Sequence, residues 1–163
     1  MILDFGFVFR IIRSMVMAWN PYGLDQIAHR LVKQALERDN SGSANQDDCL
    51  REAYDMRETV AYGLERFWGE SLRGQGKLVR KAAYWRSTWT ELVEILKVSG
   101  VTLPNHSDPM MMAQMLWGDI GLDGTKSGVK FTHKDRQLAL AVLAQLCNCM
   151  VWWTQRYKSL EAD

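Results

Sequence analysis

The sequence predicts an all-α protein, a single-domain helical bundle of about five to six helices with a glycine-rich loop before the C-terminal helix. Two apolar seams carry this expectation. Ala139, Leu143, Leu146, Met150, Trp153, Tyr157 and Leu160 alternate steps of four and three, and so do Leu78, Ala82, Trp85, Trp89, Leu92 and Leu96. Three prolines and seven tryptophans in 163 residues further favour a helical body built around large anchors. At this length one domain, residues 1–163, is expected, and 47% hydrophobic against 24% charged residues excludes a disordered or collagen-like chain.

Residues 1–19 contain Phe5, Phe9, Ile12, Met15 or Val16, and Trp19 at helical spacing, which predicts an amphipathic helix. Asp4 precedes the apolar run, Arg10 and Arg13 interrupt it, and no small-residue cleavage site follows, so neither a signal peptide nor a membrane span is expected. Docking on the body or on a partner is the favoured reading, with an interfacial membrane helix as the alternative. Phe9 and Trp19 are its candidate partner contacts.

After the Asn20-Pro21-Tyr22-Gly23 turn, Leu24, Ile27, Ala28, Leu31, Ala35 and Leu36 trace a helix ending near Asp39. Residues 39–48 hold almost no apolar side chain and read as a flexible loop. A helix from about Gln46 to Trp68 follows, with Arg57 near its apolar side and expected to pair with an acid. Gly69, Gly74 and Gly76 break the chain before a longer helix, from near Gln75 to Val98. Asp108-Pro109 supplies an N-cap and a first-turn proline for a short methionine-rich helix that Gly118 ends. Residues 118–130 carry four glycines and read as a loop or small hairpin, and Thr132 with Asp135 approximates a capping box for the last helix.

No catalytic or metal-binding signature is visible. His29, His106 and His133 have no second ligand at a metal-like interval, and the glycines between 118 and 124 match neither a phosphate loop nor a dinucleotide turn. An arginine followed four to six residues later by histidine, the pair used by HEPN-type ribonucleases, is absent. Cys49, Cys147 and Cys149 make an odd count with no disulfide framework, which fits reduced thiols in a cytoplasmic protein. The expectation is a protein that is not an enzyme, with no cofactor, no metal and no membrane.

Charge is distributed unevenly despite a net +1. Arg66, Arg73, Lys77, Arg80, Lys81 and Arg86 face a single acid, Glu70, within their window. Lys77, Arg80, Lys81 and Tyr84 are expected opposite the Trp85–Trp89 seam, a cationic stripe holding one aromatic, as in sequence-tolerant nucleic-acid binders. A solvated face is the alternative. A second concentration, Lys126, Lys130, His133, Lys134 and Arg136, lies at the start of the last helix, where positive charge opposes the macrodipole and phosphate binding is one explanation. Arg73, Lys77, Arg80, Lys81, Tyr84, Lys126, Lys130 and Lys134 are therefore the candidate nucleic-acid contacts. Trp152, on a polar face among Gln145, Asn148, Gln155 and Ser159, and Met111, in the methionine-rich segment, join Phe9 and Trp19 as candidate partner contacts.

Phe67-Trp68, the run Gly76-Lys77-Leu78-Val79-Arg80-Lys81-Ala82, and Ala139-Leu140-Ala141-Val142-Leu143-Ala144 resemble segments of the small helical subunit of class 1 CRISPR effector complexes. The resemblance covers about a fifth of the chain and implies a non-catalytic bundle of an antiviral-defence nucleoprotein. Such a bundle contacts the guide RNA or target backbone without sequence specificity and bridges neighbouring subunits, including copies of itself. Lys77, Arg80 and Lys81 would be its contacts. The alternative expectation is a protein-only helical adaptor subunit of another large complex.

Overall fold

The computed structural model describes residues 23–41, 49–74 and 78–161. The expectations for residues 1–19, including Phe9 and Trp19, for most of the 39–48 loop, and for Lys77 lie outside the described residues. Those residues form one packed helical bundle of six α-helices with no strand.

Helix α1 (Leu24–Asn40) buries Leu24, Ala28, Leu31, Val32 and Ala35, one stripe at helical spacing. It ends at Asn40, beside the expected end near Asp39, and Asp39 has a use there. The Asp39 carboxylate accepts hydrogen bonds from the backbone N–H groups of Cys49 (2.8 Å) and Leu50 (3.1 Å), tying the end of α1 to the start of the next described segment.

The expected long helix from Gln46 to Trp68 is divided among the described residues. A 3-10 turn (Cys49–Arg51) leads into α2 (Glu52–Thr59), a second 3-10 turn (Val60–Tyr62) follows, and α3 (Leu64–Glu70) begins after Gly63. Gly63 is the reason. Its φ of 104° and ψ of 167° lie in a region essentially reserved for glycine, so the helical path ends there and restarts in a new direction. Arg57 is exposed and makes no ion pair with another described residue, correcting the expected pairing.

Helix α4 (Val79–Val98) is central, touching α1, α2, α3 and α6. Its seam is buried from Ala82 to Leu96, with Leu78 exposed at the edge. A second buried row, Tyr84, Thr88 and Ile95, faces other neighbours. A helix packed from several sides buries more than one stripe.

The local stop and start signals are realised. Asp108 caps α5 (Pro109–Trp117), its Oδ1 accepting from the Met111 N–H at 2.8 Å, and Gly118 ends that helix at φ 76°. Thr132 and Asp135 form a reciprocal capping box on α6 (His133–Glu161), Asp135 N–H donating to Thr132 Oγ1 at 3.1 Å and Thr132 N–H to Asp135 Oδ2 at 2.9 Å. Between α5 and α6 the chain makes a compact loop without strands. Gly128 is packed so tightly that a Cβ would stand 1.9 Å from Asp123 Oδ1.

Helix α6 packs most extensively on α1 and α2. Its seam is buried from Ala139 to Met150, half-buried at Trp153 and Tyr157, and exposed at Leu160, so it ends one step earlier than the sequence pattern. An 18-residue stretch within His133–Leu160 has mean hydropathy 1.3, long and apolar enough to cross a membrane by length and composition alone; the apolar seam of this helix lies in the bundle.

Gly63→Ala should lower the unfolding free energy by about 1–3 kcal/mol, because alanine strains at that backbone conformation. Gly69→Ala, on an ordinary helical position with open space at its Cβ, should be neutral or stabilise by up to about 1 kcal/mol. Urea denaturation of both variants checks the contrast.

Candidate functional site

The basic segment between Arg66 and Arg86 is organised by an acid that lies outside it. Glu52, in the first turn of α2, is 2% exposed, and its Oε2 accepts the indole N–H of Trp85 at 2.7 Å. Lys81 Nζ lies 3.0 Å from Oε1, and Arg73 reaches Oε2 at 3.7 Å while also pairing with Glu70. A buried carboxylate needs such partners, since leaving it unpaired costs several kcal/mol. Lys81 is thus held against Glu52, while Arg73, 38% exposed, is shared between Glu70 and Glu52.

Two other cations of the segment close helix ends, while Arg66 is exposed over the Tyr62 ring (5.7 Å). Arg80 Nη1 donates to the carbonyl of Arg38 (3.3 Å) in the last turn of α1, and Arg86 Nη2 to the carbonyl of Ser71 (3.0 Å) at the end of α3. Terminal carbonyls lack intrahelical partners and carry partial negative charge, which cationic donors satisfy. Tyr84 is 0% exposed, and burial pushes its phenol well above the ordinary range. Its expected place on the outer face is corrected: Tyr84 belongs to the second buried row of α4 and cannot stack a base.

The second basic concentration is divided in the same way. Lys130 Nζ donates to the carbonyls of Gly118 (3.0 Å) and Asp119 (2.7 Å). Arg136 pairs with Glu65 (2.7 Å) and donates to the Leu116 carbonyl, so both close the C-terminal end of α5. The macrodipole conflict at α6 is resolved by Asp135, which supplies the favourable anion through the capping box. Lys126, His133 and Lys134 are exposed.

At the α1–α6 junction one aromatic side chain is exposed, beside the exposed polar Asp25 and Asn148. Trp152 is 45% exposed, away from the seam as the sequence predicts, with the Arg156 guanidinium 4.5 Å from its ring centroid. Trp153 stands at 88° to it, 4.8 Å away. His29 meets Trp153 edge-on at 4.5 Å, and its Nε2 shares a 2.7 Å hydrogen bond with the Tyr157 hydroxyl, fixing the cluster on α1. Asp25, Asn148, Cys149, Trp152 and Trp153 line a groove of about 430 Å³. Burial, with Asp25 adding to it, pushes the Cys149 thiol up to about 11.

Met111 is half-buried, its methyl covering Gly124. Met110 (72% exposed) and Trp117 (61%) are the exposed large apolar residues of α5. Seven positions apart, they share one side of that helix. Sequence reasoning chose Met111 within the methionine run and passed over its neighbour, because that run gives no clear phase. No group of three His, Cys, Asp or Glu side chains able to hold a metal occurs among the described residues. No protein-family model, curated protein or solved structure matches this chain.

Glu52→Gln should lower stability by about 2–3 kcal/mol, somewhat below the full cost of a broken buried pair because Lys81 and Arg73 are partly solvated. Lys126→Ala and Lys134→Ala should stay within about 0.5 kcal/mol; chemical denaturation of the three variants measures the difference.

Thiol reactivity should follow burial. With iodoacetamide at about pH 8.5, near the ordinary thiol pKa, Cys149 should alkylate far more slowly than free cysteine. Cys49 and Cys147, both buried, should react only after unfolding. Peptide mapping by mass spectrometry reads all three. As pH rises from the ordinary thiol range toward 11, the Cys149 thiol ionises in the unfolded chain before the folded one, so its contribution to stability declines across that window.

Proposed function

We propose that this chain is a non-catalytic helical adaptor that works by docking on other proteins of a larger assembly. One observation carries the reading: large apolar side chains stand out on the surface while most described cations of the expected nucleic-acid stripe end on internal acceptors. Trp152 with Arg156 stacked on it pairs the two residue types most enriched in interface hot spots. Met110 and Trp117 give α5 a second apolar face. The occupant expected at Trp152 is an apolar protein surface offering a carboxylate to Arg156.

The second reading is the CRISPR-type small subunit that contacts nucleic-acid backbone. Exposed Lys126 and Lys134 favour it, together with Lys77, which lies outside the described residues.

A photo-crosslinking amino acid at position 152, introduced into the full chain in its own cells, should capture one discrete protein. Trp152→Ala and Arg156→Ala should each weaken copurification of that protein by about tenfold or more at unchanged thermal stability. Fluorescence anisotropy with single-stranded RNA and DNA at low salt should show no micromolar binding. Steeply salt-dependent binding removed by Lys126→Ala and Lys134→Ala, without a crosslink at 152, would overturn the adaptor reading in favour of the second one.

A further inference from the structure

A second cavity, remote from Trp152 in sequence, opens where the end of α3, the middle of α4 and the segment before α5 meet. It has a volume of about 470 Å³ and is lined by Trp68, Ser71, Leu72, Arg86, Trp89, Asn105, His106 and Ser107. That size suits a small organic molecule. Its walls are held by bonds already made. Arg86 donates to the Ser71 carbonyl (3.0 Å), Trp89 Nε1 to the Pro104 carbonyl (3.3 Å), and the His106 N–H to Met112 Sδ (3.4 Å).

Its polar groups are mostly donors. His106 Nδ1 accepts the Asp108 N–H at 3.0 Å, which places the proton of the neutral imidazole on Nε2, where no described residue accepts it. Arg86 has four further N–H donors beyond its bond to Ser71 and no carboxylate partner among the described residues. Asn105 and Ser107 add an amide and a hydroxyl. Among the described residues no Asp or Glu lines the cavity; Asp108, the adjacent acid, turns Oδ1 to the Met111 N–H.

We infer that this cavity binds a small organic monocarboxylate, its apolar body against Trp68, Leu72 and Trp89 and its carboxylate held by Arg86 with His106 beside it. One guanidinium matches one carboxylate in charge and in its two-pronged geometry, whereas a phosphate dianion would leave charge uncompensated. The inference is independent of the docking role of Trp152.

Phenylacetate and its neutral isostere phenylacetamide, titrated into the full chain and followed by nitrogen–proton NMR, test it. Phenylacetate should shift the Trp89 indole N–H and the Asn105 side-chain amide, and phenylacetamide should bind about tenfold or more weakly. Arg86→Gln should weaken phenylacetate by a similar factor, and His106→Ala by a few-fold, with the Trp152 indole signal unmoved throughout. The isostere comparison needs no variant, so a loss of folding in Arg86→Gln leaves the test intact. Equal binding of the two compounds, shifts centred on Trp152, or no shift up to about 20 mM, weaker than any useful affinity, would overturn the proposal.

Discussion

The buried carboxylate of Glu52 is the constraint around which the described bundle is arranged. Taking a carboxylate out of water is costly, and the cost is offset only when several donors converge on it. Here they come from two other parts of the chain: Trp85 and Lys81 on α4, and Arg73 from beyond α3. Satisfying one side chain therefore sets α2, α4 and the segment after α3 in register. The same contact determines which cations are presented to the surroundings, so packing and surface chemistry are decided together.

A second regularity follows from the backbone. Helices α1, α3 and α5 each end in carbonyls that receive a basic side chain from a distant part of the sequence: Arg80 at α1, Arg86 at α3, and Lys130 with Arg136 at α5. Read linearly, these residues form runs of unbalanced positive charge. In three dimensions they complete hydrogen bonding that the helices cannot supply themselves.

What could be read from the sequence was mostly local. The Asp108 cap, the Thr132–Asp135 box and the stop at Gly118 each involve residues within three or four positions, so composition and spacing reveal them. The seams of α4 and α6 were legible for the same reason. Tyr84 was misplaced because a single-stripe pattern describes a helix buried on one side, and α4 has neighbours on several. Glu52 escaped notice because its partner Trp85 is 33 residues away, and no window-based charge count connects them. Gly63 looked like an ordinary helical residue because a lone glycine does not announce a positive φ. The exposed Trp152 was anticipated from its polar helical neighbours, whereas the groove beside it depends on how α1 lies against α6 and has no linear signature.

The clasp made by Asp39 on Cys49 and Leu50 has an evolutionary and practical consequence. Because the carboxylate joins the chain on both sides of residues 42–48, the end of α1 and the turn leading into α2 are tied by bonds that do not involve those residues. Doubling a loop costs only about 0.6 kcal/mol in closure entropy. That stretch is therefore where the gene can gain or lose codons, or receive an inserted tag, while the helices on either side keep their alignment.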